Sequence, residues 1–243
     1  MSEKSNNNTD QKRREFLKGL ATVPVFGFFL VNLWLKLKKD ALKRKNLLTD
    51  LVSEKKAPSI ISGLSDSKHL NIGVIGYGGR GSHLVRSAGF ATKGWTDWAY
   101  ESARENKLHK AYATFMEQED LNCSLVGVCD LFDINAELAI DASKNDMRPG
   151  GKPKASAIRY RRYTEMLERD DIDAVIVATP DHWHSRITID AAKAGKHVYC
   201  EKGLTRTFQE ALDVHDVIKD TGVILQLGHQ NRQVEANDKA KQI

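Results

Sequence analysis

The sequence is poor in cysteine, and its body carries no excess of positive charge. Its three cysteines, Cys123, Cys129 and Cys200, are an odd number with no C-x-x-C pair among them. That excludes a disulfide framework and argues against a redox or metal role. Cys129 and Cys200 each close an apolar run, as buried thiols in strands do. The net charge of +5 divides unevenly: residues 1–56 hold 13 Lys and Arg against 6 Asp and Glu, the remainder 24 against 26. The body is therefore close to neutral and lacks the clustered basic face that a nucleic-acid surface needs. A chain of 243 residues with 41% hydrophobic and 28% charged residues is of globular composition, enough for one good-sized domain or two small ones.

What is present begins with the N-terminal segment. A polar stretch precedes Lys12-Arg13-Arg14-Glu15-Phe16-Leu17-Lys18, and an apolar run of 17 residues follows from Gly19 to Leu35, broken only by Asn32. Lys36, Lys38, Lys39, Lys43, Arg44 and Lys45 close it. Positive, apolar, then polar is the layout of an export signal. The paired arginines before Phe16 and Leu17 resemble the twin-arginine signal, with Lys12 in place of the usual Ser or Thr. The twin-arginine route carries proteins that are already folded, so the expected destination is the periplasm. No A-x-A-like cleavage site follows the run. At 1.5 Å per residue it spans about 26 Å, just short of a hydrocarbon core, and its flanking lysines can snorkel. Residues 1–45 are thus expected to be a twin-arginine signal or a membrane anchor, with residues 19–35 as the tether. Residues 46–69 read as a linker with Pro58 and Gly63 as breakers.

The body opens with the β-branched run Leu70 to Ile75, which predicts a buried strand. It leads into Gly76-Tyr77-Gly78-Gly79-Arg80-Gly81, a G-x-G-x-x-G segment, and then into a predicted helix from Ser82. Gly76 permits the tight turn, Gly78 lets the backbone approach a pyrophosphate, and Gly81 lets the helix pack on the sheet. The helix N-terminus offers free N–H groups to phosphate. A dinucleotide site also needs an acidic residue ending the next strand, and Asp130, after Leu125 to Cys129, supplies it. A carboxylate there accepts ribose hydroxyls and repels a 2′-phosphate, which favours NAD over NADP. Asp130 lies 49 residues after Gly81 rather than about 20, so residues 91–123 are read as a helical insertion.

Strands and helices continue to alternate. Ile134, Leu138 and Ala142 are spaced i, i+4 and i+8 on a helix after Asp130. Asp173–Ala178 is a buried strand, and Thr179-Pro180-Asp181 turns into a helix whose Ile187, Ala191 and Ala194 share a face, with Gly195 as its stop. His197–Cys200 is the next strand. Thr207 and Glu210 form a candidate capping box for a helix that Gly222 ends, and Val223–Leu227 is a last strand. This order predicts an α/β fold with a doubly wound parallel sheet of Rossmann type over residues 70–243.

The segments Gly76–Gly81, Val126–Asp130, Ala178–His184, Ala191–Lys202 and Gly228–Arg232 together resemble the glucose-fructose oxidoreductase / inositol dehydrogenase / rhizopine catabolism family, whose members carry A-T-P-x-x-x-H and then E-K-P. The resemblance covers about residues 70–243. It implies an NAD-dependent oxidoreductase acting on a sugar or polyol, and some exported members use bound NAD to hydrolyse glycosides by transient oxidation. It implies that Gly76, Tyr77, Gly78, Gly79, Arg80, Gly81 and Asp130 bind the cofactor. Thr179 and Pro180 would lie beside the nicotinamide half, and Asp181 to His184 would open the next helix against it. Glu201 would contact the nicotinamide ribose. Lys202 would be catalytic, hydrogen-bonding the substrate hydroxyl and stabilising charge during hydride transfer. His229 and Gln230 would line the same crevice. His182 and His184 lack a third ligand of suitable spacing, so no metal is expected.

Two departures qualify these implications. E-K-P reads Glu201-Lys202-Gly203 here, and glycine frees the φ that proline would fix. Relatives also continue into a second, open antiparallel sheet that holds substrate and supplies an acid–base histidine, whereas residues 70–243 suffice for one domain. The substrate-binding α+β domain is thus expected to be absent. Three functions stay open: the cofactor half of an oxidoreductase, an NAD-binding module without turnover, and part of an NAD-dependent glycosidase. Association into a homo-oligomer is a further expectation.

Overall fold

The computed structural model describes residues 31–42, 45, 69–106, 109–144, 147, 151 and 153–229. The chain divides into two units, residues 1–59 and residues 60–243. In the first, residues 31–42 are helical, with Val31, Leu33, Trp34, Leu35 and Leu37 exposed. The paired arginines, residues 19–30 of the expected tether and residues 46–68 of the expected linker lie outside the described residues. Among the described residues, no helix is long and apolar enough to cross a membrane.

Among the described residues, the second unit is built on six parallel strands in the order β3-β2-β1-β4-β5-β6. They are β1 (Leu70–Ile75), β2 (Cys123–Cys129), β3 (Ile158–Tyr160), β4 (Ala174–Val177), β5 (His197–Glu201) and β6 (Leu225–Gly228). The connecting helices are α1 (Gly79–Ser87), α2 (Lys93–Glu105), α3 (Ala111–Glu117), α4 (Asp133–Ser143), α5 (Tyr163–Leu167), α6 (Asp181–Lys193) and α7 (Phe208–Thr221). The chain builds outward from β1 to β3, then returns to place β4 on the other flank of β1. The strand order therefore reverses between β1 and β4, and a crevice opens at their carboxyl ends, where doubly wound sheets bind ligands.

Successive side chains of a strand point to opposite faces, so each strand feeds two cores. Ile72, Val74, Leu125 and Val128 pack with Val85 of α1 and Ala136, Ala139 and Ala142 of α4. Ile75, Val175, Val177, Val198 and Cys200 pack on the other face with Met166, Ile187 and Ala191. All three cysteines are buried, and burial pushes the Cys129 thiol up to about 11 and the Cys200 thiol to about 12.

Three sequence expectations are corrected. In α4 the residues turned inward are Ala136, Ala139 and Ala142, while Ile134 and Leu138 are exposed. Small side chains let this helix lie close to the sheet, and apolar spacing alone pointed to the larger ones. In α6, Ile187 and Ala191 are buried, but Ala194 is the exposed C-cap. The last strand is Leu225–Gly228 rather than Val223–Leu227. Two elements went unread: β3 has three residues and α5 five, too short for either period to register. The segment after α1 holds α2, capped by the Thr92 hydroxyl accepting from Trp95 N–H, and α3.

Candidate functional site

The turn after β1 is held by contacts that glycine alone satisfies. Gly76 has φ +87°, and a Cβ on it would meet the Ala178 carbonyl oxygen at 2.8 Å. A Cβ on Gly81 would lie 2.0 Å from the Gly76 carbonyl oxygen. Around Gly78 and Gly79 a Cβ would meet nothing within 4 Å. The loop is thus tight on its protein side and open on its outer side, where the first N–H groups of α1 point. That is a cradle for a pyrophosphate, and the residues present fit a dinucleotide.

Tyr77 contributes backbone rather than side chain. Its ring is 5% exposed within the first core, and burial pushes the phenol up to about 12. Its N–H donates to Asp130 Oδ2 at 2.6 Å, and Phe132 N–H donates to Asp130 Oδ1 at 2.8 Å. Asp130 therefore ties the glycine loop to the end of β2. Asn135 Nδ2 also donates to Oδ1, at 3.5 Å, whereas Oδ2 keeps a lone pair that a ribose hydroxyl can use.

Across the switch point, a cavity of about 320 Å³ opens between Arg80, Thr179, Asp181, His184, Glu201 and Lys202. These residues come from the α1 N-terminus, the β4–α6 turn and the end of β5. Pro180 is the N-cap of α6, and Asp181 stands in its first turn, where a carboxylate suits the helix dipole. His184 is 1% exposed and lies between two carbonyls, with Nε2 2.7 Å from Thr179 O and Nδ1 3.0 Å from Gly203 O. Its ring joins the β4–α6 turn to the segment after β5. The Thr179 hydroxyl is buried and makes no hydrogen bond among the described residues, a polar group left for something else to pair.

Glu201 is 4% exposed and accepts from Arg80 Nε at 2.7 Å. Lys202, the next residue, is exposed on the cavity wall, and the Lys202–Gly203 peptide bond is cis. His229 follows the Glu201–Gly228 register pair and is exposed. Gln230 lies outside the described residues. The structure thus gathers Arg80, Thr179, Asp181, His184, Glu201 and Lys202 at one cavity, with Gly76–Gly81 and Asp130 on the β1–β2 side of the same edge. His229 is not among the residues of the cavity wall. His182, exposed at the start of α6, and His184 belong to no metal-holding group of three among the described residues.

Sequence reasoning missed Tyr199. Residues 197, 199 and 201 of β5 share a face, so period 2 alone places the Tyr199 hydroxyl beside Glu201. Burial and the Glu201 charge both raise its pKa.

The sequence model of the Gfo/Idh/MocA family, described as an oxidoreductase family with an NAD-binding Rossmann fold, matches residues 70–229. Levoglucosan dehydrogenase of Pseudarthrobacter phenanthrenivorans is 36% identical over 107 residues, 44% of this chain and 25% of that protein. The alpha-N-acetylgalactosaminidase of Shewanella oneidensis is 34% identical over 97 residues, 40% of this chain and 21% of that protein. Among solved structures, myo-inositol 2-dehydrogenase of Lactobacillus plantarum superposes with a TM-score of 0.52 at 25% identity, over 72% of this chain and 41% of that one. The matched region thus spans a quarter or less of these curated relatives and about four-tenths of the solved one.

Proposed function

The chain belongs to the Gfo/Idh/MocA oxidoreductase family, with that family's NAD-binding Rossmann fold, and from this premise we propose that residues 70–229 are the cofactor half of an enzyme that passes hydride between NAD and a sugar or polyol. One observation carries the reading: the open glycine cradle and the polar cavity holding Thr179, Glu201 and Lys202 meet at a single switch point. Bound NAD supplies the hydride acceptor. The protein supplies position and charge.

In this reading the Gly76–Gly81 backbone and the α1 N-terminus seat the pyrophosphate. Asp130 accepts from the adenosine ribose, and its charge disfavours a 2′-phosphate. Thr179 and Pro180 flank the nicotinamide half, and the unpaired Thr179 hydroxyl gains its partner there. Glu201 faces the nicotinamide ribose. Lys202 hydrogen-bonds the substrate hydroxyl and would stabilise the negative charge that develops on that oxygen as its proton is lost to water, the step that readies the carbon to give up hydride. His184 positions rather than reacts, because its ring is committed to two carbonyls. His229 and Gln230 follow the last strand on the same edge.

Calorimetric titration with NAD, followed by assay of sugars and polyols for NADH formation at 340 nm, tests this. NAD binding is the expected result for this half, with NADH formation expected of the whole enzyme, and absence of NAD binding overturns the reading. A second reading, glycoside cleavage through transient oxidation, is favoured by the identity with the Shewanella alpha-N-acetylgalactosaminidase. It requires release of an aryl glycoside's leaving group without net NADH.

The N-terminal segment belongs to the same proposal. Arg13-Arg14 and the apolar run to Leu35 support export by the twin-arginine route, with residues 19–35 retained as a tether facing the periplasm. N-terminal sequencing of the mature protein checks it, and a start near residue 57 would remove the tether. Association into a homo-oligomer, supported by exposed Leu131, Phe132 and Ile134, is checked by sedimentation.

A further inference from the structure

Glu201 is a buried carboxylate on the wall of a cavity assigned to an anionic cofactor. A buried carboxylate is costly without a partner, and it repels a pyrophosphate brought near it. Its partner is Arg80, 121 residues away in sequence, at 2.7 Å. Arg80 occupies an unfavourable place, since the first turn of a helix disfavours cations. A contact elsewhere must account for it. The arginine side chain is 31% exposed, and Arg80 lines the cavity together with Glu201. Tyr199 completes the cluster: burial and the Glu201 charge raise its pKa, and the Arg80 charge lowers it. A Cβ on Gly228 would lie 2.7 Å from Glu201 Oε1 and 2.8 Å from the Tyr199 hydroxyl, so the β6 end leaves this cluster just enough room.

We propose that Arg80 is a positioning residue whose guanidinium cancels the Glu201 charge, so that the carboxylate stays beside the nicotinamide half without repelling the pyrophosphate. Arg80 acts here through Glu201 rather than through a phosphate contact of its own. The inference rests on the NAD-binding reading.

The test is a double-mutant cycle read by calorimetry with NAD on the full chain: unsubstituted, Arg80→Met, Glu201→Gln and both together. Arg80→Met is expected to weaken NAD about 20-fold or more, because it strands a buried charge facing the phosphates. Glu201→Gln is expected to cost only about threefold to fivefold, the loss of one ribose contact. The double variant is expected to return to the affinity of Glu201→Gln alone. A double variant as weak as Arg80→Met, or an Arg80→Met chain that binds normally, overturns the proposal. Should Arg80→Met fail to fold, as ligand-free melting would reveal, Arg80→Lys against the double variant decides: both within about fivefold of the unsubstituted chain supports charge compensation, and a weak double variant rejects it. Absence of NAD binding by the unsubstituted chain would instead overturn the cofactor reading, and this inference with it.

Discussion

Gly81 lies so close to Gly76 that the carbonyl oxygen of the first glycine occupies the space where a side chain on the last would begin, 2.0 Å from an added Cβ. The loop and the helix start are thus one rigid piece. Gly81→Ala is expected to push the α1 N-terminus outward, to cost about 1–3 kcal/mol of stability and to weaken NAD binding at least tenfold. Thermal melting and calorimetry check the two effects separately, and an alanine variant binding NAD normally would mean the loop is not the cradle.

Asp130 holds two backbone N–H groups, those of Tyr77 and Phe132. Asp130→Ala leaves both without their acceptor, at about 1–3 kcal/mol, measurable by urea unfolding. Asp130→Ser keeps one acceptor and removes the charge. It is expected to narrow the preference for NAD over NADP, read as the ratio of the two affinities.

Asp133 is paired with Arg159 and Arg161, the latter at 2.9 Å. The Arg159 hydrogen bond, then the charges of both arginines, hold its carboxyl below the usual 3.8. The pairing therefore contributes fully above the unfolded value, and its contribution disappears as pH falls through the lower folded value. Asp133 is fully exposed to solvent, so the effect is small. Asp133→Asn is expected to be slightly less stable than the unsubstituted chain at pH 7, with the gap narrowing as the pH falls below the unfolded value. Urea titrations along a descending pH series test this, and a gap that does not narrow would assign the effect to something other than charge.

Cys129 and Cys200 have thiols pushed up to about 11 and about 12 by burial, so little thiolate forms at pH 8. Iodoacetamide is expected to label them only as fast as the chain unfolds. Fast labelling of folded protein at pH 8 would contradict the packing of both strand ends.

The turn from β1 into α1 was legible because it is local: a β-branched run, a spaced glycine set and a helix start lie within a dozen residues. Asp130 was legible because a strand-end carboxylate has a fixed place in such a sheet. The inward face of α4 was misread because Ala136, Ala139 and Ala142 carry little apolar weight, although they are what a close-packed helix requires. The contact of Arg80 with Glu201 and the seat of His184 between Thr179 and Gly203 were not legible at all. Each depends on which strand ends the fold makes neighbours, and no single window of sequence contains both partners.

The strand order has a consequence for how the protein is made. β1 sits at the centre of the sheet, but one of its two partners, β4, is translated about a hundred residues later. Asn71 N–H waits for Asp173 Oδ2, which it meets at 2.8 Å across a separation of 102 residues. Until Val177 has left the ribosome, the nascent chain carries a bare, apolar strand edge, the kind that pairs with strangers. Pausing synthesis after β2 but before β4 has emerged should therefore raise the share of chains lost to aggregation, whereas pausing once β4 and β5 have emerged should not.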